Sequence, residues 1–264
     1  MLNTKQRIVI VTDCCDVAAN ELRATLIANL EKIEGGDKVE VEPVVVAECF
    51  SVINGAFLVR LMGEIYPQTT TTFLVVLNPL RTDRKDRARI IGRTKNGFRF
   101  VGENTGTLGW LIKDFGIQEI YESSRLGIDG KEFISFGGKY IHAPIAAKVA
   151  MGIPLKQLGT FFDPERITMP HIKEGAIVYI DNFGVAKIFM SPPTLIDGSK
   201  VKILVNGIVK VEATFTNSMK NLPDQTWAVY PGSSLNHLLE FGLVRDYGAK
   251  KLGLKVGDII QVKY

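Results

Sequence analysis

Ile8-Val9-Ile10-Val11-Thr12-Asp13 is the stretch that decides the fold. An unbroken run of β-branched apolar residues reads as a strand buried on both faces, the mark of a parallel sheet. Ala18 to Leu30 follows, with Leu22, Leu26, Ile27 and Leu30 at helical spacing. A strand that leads into an amphipathic helix opens an α/β domain. In open α/β sheets ligands bind beyond the carboxyl ends of the strands, where Asp13 stands. Its carboxylate has two readings. It can accept hydrogen bonds from a cis-diol, as acidic residues do with ribose. It can also cap the following helix, the commoner use of such a residue.

The alternation continues outward from that strand. Val39 to Val46 is strand-like, and Ser51 to Ile65 is helical through Val52, Ile53, Phe57, Leu58, Leu61 and Met62. Pro67 ends that helix. Thr71 to Leu77 reads as a buried strand. Ile90-Ile91 and Phe98 to Val101 flank Asn96-Gly97, a hairpin signal. A short helix is expected within Thr105 to Phe115, a strand at Ile117 to Tyr121 and a helix at Pro144 to Met151. Near Pro170, after a linker that holds Pro154 and Pro164, the character changes. Gly175–Tyr179, Ala186–Met190, Val201–Val205, Gly207–Phe215, Trp227–Tyr230 and Ile259–Tyr264 are short strand patterns between turns. The expected fold is therefore an α/β N-terminal domain with a mainly parallel sheet, residues 1–170. A small all-β, barrel-like C-terminal domain, 171–264, follows it.

Composition excludes some classes. With 46% hydrophobic and 23% charged residues, the chain has the make-up of a soluble globular protein. No apolar stretch is long enough to span a bilayer, so no membrane contact is expected. The first apolar run is too short for a signal peptide and continues into a fold pattern. Cys14, Cys15 and Cys49 are odd in number and two are adjacent, which argues against a disulfide framework and for a reducing cytoplasm. His142, His171 and His237 are scattered, so neither a metal nor another cofactor is expected. The formal net charge is +4, and the densest basic stretch is Arg81, Arg84, Lys85, Arg87 and Arg89. No aromatic residues alternate with these charges, which disfavours nucleic acid. The stretch reads as a solvated loop, with an anionic ligand or a subunit contact as alternatives.

Two further constellations could carry chemistry. Phe100 to Leu108 runs from a strand into a turn with Glu103, Asn104 and Thr105 at its carboxyl end, where a cap is the plain reading. Ile180-Asp181-Asn182-Phe183-Gly184 places a carboxylate beside an aromatic ring. That pairing suits a substrate ammonium group, and the plain alternative is a hairpin turn with positive φ at Gly184.

Taken in order, the segments resemble one family, the S-adenosylmethionine hydroxide adenosyltransferases with their fluorinase and chlorinase relatives. Thr12-Asp13 is similar to the family's opening Thr-Asp. Val101-Gly102-Glu103-Asn104-Thr105-Gly106 resembles Val-Gly-Pro-Asp-Asn-Gly. Ala143 to Ala147, Gly152-Ile153-Pro154-Leu155 and Leu158-Gly159 resemble the linking helix. Ile180-Asp181 with Phe183-Gly184 resembles Ile-Asp-x-Phe-Gly-Asn, and Leu252-Gly253-Leu254 with Gly257-Asp258 the final turn. The resemblance implies a homotrimer that binds S-adenosylmethionine, or an adenosine-type ligand, between one subunit's N-domain and a neighbour's C-domain. Asp13 would hold the ribose diol and Asp181 the methionine amino group, with Asn104 and Phe183 as further contacts. The implied reaction is displacement at C5′, which gives adenosine and methionine when water attacks.

The same comparison shows departures. The family's Asp-Pro-Gly-Val-Gly-Thr-x-Arg is here Asn78-Pro79-Leu80-Arg81-Thr82-Asp83-Arg84-Lys85. Asn78 then occupies one catalytic position and Arg84, or Arg87 in a shifted register, the other, and an amide cannot take up a proton. The His of Phe-His-Gly-Arg becomes Gly137 in Phe136-Gly137-Gly138-Lys139, and His142, slightly downstream, is not expected to replace it. Three readings stand: an adenosyltransferase-fold protein that binds and cleaves S-adenosylmethionine, a non-catalytic nucleoside-binding or structural trimer with a decayed site, and an enzyme on another adenosyl or nucleotide substrate that uses the Arg81 to Arg89 cluster for an anion.

Overall fold

The computed structural model describes residues 5–80, 87–123 and 135–264. The chain divides into two compact units, Met1–Pro170 and His171–Tyr264.

The first unit contains β1 (Arg7–Thr12), α1 (Asp16–Leu30), β2 (Glu40–Val41), β3 (Val45–Val46), α2 (Val52–Ile65) and β4 (Thr71–Val76). It continues with β5 (Arg89–Thr94), β6 (Arg99–Glu103), α3 (Gly109–Phe115), β7 (Ile117–Ser123), α4 (Ala143–Ala150) and β8 (Gly159–Phe161). The strands form one sheet in the order β2-β1-β4-β6-β5-β7-β8, with β3 also paired to β1. The β1 pairs with β2, β3 and β4 are parallel, as is β4 with β6. β5, β7 and β8 add an antiparallel flank. The sheet is mainly parallel, as the sequence predicts.

Local chemistry explains the elements. Ile8, Ile10 and Leu74 project to the face covered by α1 and α4, where they meet Leu22, Leu26 and Ala146 in one buried cluster. On the alternate positions Phe73 packs against Phe98, ring centroids 5.4 Å apart, and Phe98 against Phe115 of α3. Burial on both faces is why β1 and β4 read as continuous apolar runs. Ser51 caps α2 by accepting from the Asn54 N–H at 3.2 Å. The expected single strand over Val39–Val46 is two short pieces, because Pro43 between them has no N–H to give the ladder. The linker also holds a strand: β8 pairs with β7 and closes the sheet's edge.

The second unit holds β9 (Ile177–Ile180), β10 (Ala186–Ile188), β11 (Lys200–Val205), β12 (Ile208–Phe215), β13 (Trp227–Pro231), β14 (Leu239–Leu243), the short helix α5 (Gly248–Leu252) and β15 (Ile260–Lys263). Its sheet runs β15-β11-β12-β13-β14-β10-β9. The Ile177 N–H donates to the Asp258 carbonyl and the Ile260 N–H to that of Gly175, each at 2.8 Å, so the two ends of the sheet meet and it curls on itself. Ile177, Ile203, Val229, Leu239 and Phe241 fill the interior. One pairing, β12 with β13, is parallel. β14 is absent from the sequence expectation because Glu240 interrupts its apolar run. That carboxylate is buried and ion-paired with its register partner Lys187 on β10.

Candidate functional site

The parallel strands leave β1 in two directions, to β2 and β3 on one side and β4 on the other. Such a reversal opens a crevice beyond the strands' carboxyl ends. A cleft of about 400 Å³ lies there, lined among others by Asp13, Asn78, Arg87, Glu103, Gly137 and His142. β1 ends one residue before Asp13, and β4 two residues before Asn78.

Asp13 is buried and does not cap α1, whose N-cap is Cys15 with no side-chain hydrogen bond. Its carboxylate instead ties strand ends together. Oδ2 accepts from the Phe50 N–H at 3.0 Å, and both oxygens accept from the Asn78 N–H at 3.1 Å. Two backbone donors do not exhaust a carboxylate's lone pairs, so the group retains capacity for a hydroxyl.

His142 reaches the same cleft from the helical layer. Gly138–His142 is one π-helical turn running into α4. The turn lies close against the end of β4: a Cβ on Gly138 would stand 2.5 Å from Val76 Cγ1. That approach carries His142 into the interior, with only 2% of its surface exposed. Neither ring nitrogen has a hydrogen-bond partner among the described residues. Burial, with help from the Arg89 and Arg87 cations, pushes its pKa down to about 3, so the imidazole is neutral at physiological pH.

One cation, Arg87, lines the same space, and a second, Arg89, lies near enough to act on His142. The Arg87 guanidinium is committed to Glu103, with contacts of 3.1 to 3.3 Å. Arg89 has a buried Nε without a partner among the described residues, and its Nη2 lies 3.6 Å from where a Cβ on Gly137 would stand. Arg84 and the rest of Arg81–Asp86 lie outside the described residues. Cys14 also lines the cleft, and burial raises its thiol pKa. The described residues contain no group of three or more His, Cys, Asp or Glu that could hold a metal.

The remaining candidates are elsewhere. Asn104 is buried, its Nδ2 donates to the Arg166 carbonyl at 2.9 Å, and its Oδ1 accepts from the Thr168 N–H at 2.8 Å. It fastens the segment after β8 and is not among the cleft residues. In the second unit, Asp181 Oδ1 accepts from the Phe183 and Val185 N–H groups, both at 2.9 Å, and Gly184 takes φ +77. This is the hairpin-turn arrangement, and it leaves Oδ2 without a partner among the described residues. Phe183 is 67% exposed and lines a pocket of about 340 Å³ with Val185, Met219, Leu243, Arg245 and Tyr247. His142 is the part of the cleft that sequence reasoning missed. Nothing in a glycine-rich turn announces which way the fifth residue points.

A switch-point cleft on a mainly parallel sheet, in a chain that also carries a curled β unit, defines an α/β protein with an all-β companion. The S-adenosylmethionine hydroxide adenosyltransferase N-terminal domain matches residues 9–159, and the chain belongs to that family. Two solved structures share the fold. An uncharacterized conserved protein from Thermotoga maritima has a TM-score of 0.80 at 21% identity, covering 97% of this chain and 99% of that one. A conserved hypothetical protein from Thermus thermophilus has a TM-score of 0.71 at 18% identity, with the same coverages. No curated protein matches the chain.

Proposed function

We propose that this protein binds S-adenosylmethionine in the carboxyl-edge cleft, with the ribose diol on Asp13, and that it turns the ligand over slowly or not at all. The observation that carries the reading is His142: two ring nitrogens, fully buried, unpartnered among the described residues, in the same cleft as Asp13 and Asn78. Leaving a buried polar atom unsatisfied costs about 1–3 kcal/mol, so such a group implies a ligand or an ordered water that satisfies it.

The chemistry would be displacement at C5′. An oxygen–carbon bond forms, the carbon–sulfur bond breaks with its electron pair going to sulfur, and neutral methionine leaves. With water as the nucleophile a proton must also depart. Asn78 cannot accept it, and an imidazole whose pKa is about 3 is a weak acceptor. Alignment and exclusion of solvent are what the cleft offers instead. On the family resemblance, Asp181 of another subunit in a trimer would take the methionine ammonium through its free Oδ2. The three free cysteines support a reducing, cytoplasmic setting.

The second reading, a non-catalytic nucleoside-binding or structural trimer, also has a specific observation behind it. Asp13 and Asp181 both serve as backbone clamps, a use that needs no ligand. Calorimetry with S-adenosylmethionine and adenosine, product chromatography and light scattering on one preparation separate the readings. Heat of binding with little adenosine released supports the first. No heat for either compound defeats it. A monomer mass at micromolar concentration removes the shared pocket.

A further inference from the structure

A second pocket of the first unit lies at the opposite edge of the same sheet. β6 runs parallel to β4 and begins at Arg99, so Arg99 stands at the amino edge. Six strand residues, roughly 20 Å, separate that edge from the Asp13 cleft. A cavity of about 530 Å³ opens there among Lys5, Gln6, Lys38, Val39, Arg99 and Met151, a size in the range of small-molecule sites.

Its charge is one-sided. Three cationic side chains line it, and among the described residues no carboxylate does. Lys5 meets Glu40 at 3.5 Å across exposed surface, a weak pairing. Lys38 and Arg99 have no ion-pair partner among the described residues. Arg99 is held by a neutral amide, its Nη1 donating to Gln6 Oε1 at 2.8 Å. Directly opposite it on β5 stands Arg93, whose Nε is buried and unpartnered among the described residues. Like charges facing each other across antiparallel strands are unfavourable. Glu119 is Arg93's register partner on β7, away from Arg99. Burial, and then Arg93, hold the Arg99 pKa below its ordinary value. The carboxyl end of α4 adds only a partial charge of about −0.5.

We propose that this amino-edge pocket binds a phosphate-bearing small molecule, its phosphate held by Arg99 and Lys38 and its less polar part against Val39 and Met151. A guanidinium presents paired N–H donors that match two phosphate oxygens, and an ammonium adds a point charge. The site is separate from the Asp13 cleft, so its occupancy does not depend on what that cleft binds.

The test is calorimetry on the full chain with pyrophosphate as the probe, with sodium chloride at matched ionic strength as the control. Saturable binding at one site per chain is expected, weakened at least tenfold in Arg99→Gln and in Lys38→Glu. Lys38 is exposed, so its replacement leaves folding intact and keeps the test decisive if Arg99→Gln fails to fold. S-adenosylmethionine should not displace the probe. No saturable heat at millimolar pyrophosphate, unchanged affinity in Lys38→Glu, or displacement by S-adenosylmethionine would each overturn the proposal.

Discussion

His142 makes the stability of this protein depend on pH in a calculable way. The unfolded imidazole titrates near 6.5, and in the folded protein burial and two nearby arginines push the value down to about 3. A base held below its unfolded pKa contributes nothing above that value, where both states are neutral. As pH falls below 6.5 the unfolded chain takes up a proton that the folded chain refuses, and stability drops by up to about 1.4 kcal/mol per pH unit until about pH 3. Between pH 7 and pH 5 the loss assigned to this one group is about 2 kcal/mol. In His142→Gln that contribution disappears, while the rest of the chain is unchanged. Urea unfolding of both proteins at pH 7 and pH 5 measures it. The native protein should lose about 2 kcal/mol more than the variant across that interval. Equal pH dependence in the two proteins would refute the reasoning, because it would mean that the imidazole is hydrated or charge-paired in the folded state.

Asp13→Asn should weaken S-adenosylmethionine binding by about ten- to hundredfold, from loss of a charged acceptor worth roughly 1.5–3 kcal/mol, read by calorimetry. It should also lower the melting temperature, since the Phe50 and Asn78 N–H groups lose their shared carboxylate. Asn104→Ala should reduce stability by about 1–3 kcal/mol in denaturant titration and leave ligand affinity within twofold, because it strands the Arg166 carbonyl and the Thr168 N–H. Glu240→Ala should cost about 3 kcal/mol in the same assay, because Lys187 would be left charged and largely out of water. Restoring neutrality with a second change, Lys187→Met, should recover much of that loss.

The helix–sheet–helix plan of the first unit was legible in the sequence because its signals are local. A run such as Ile8–Val11 can only be satisfied by burial on both faces, and Leu22, Leu26 and Leu30 can only share a face in a helix. Asn96-Gly97 marks a hairpin because few residues tolerate its positive φ, and Gly97 takes φ +108. The position of Asp13 at a strand end was legible for the same reason. Its partners were not: Phe50 and Asn78 lie 37 and 65 residues away, and only the meeting of three chain segments at the sheet edge brings their N–H groups to one carboxylate. Asn104 read as a site residue or a cap, and tertiary contact with the Arg166–Thr168 segment assigned it to neither. β14 escaped detection because a charge in a strand looks wrong until its cross-strand partner Lys187 is known. His142 is the sharpest case. Its sequence neighbours predict a helix, and the π-helical turn packed with Gly138 against Val76 places the ring inside, within the influence of Arg89 and Arg87. Local periodicity determines which residues are buried. The direction in which a buried polar group points, and what charge surrounds it, is set by distant segments that the local pattern does not specify.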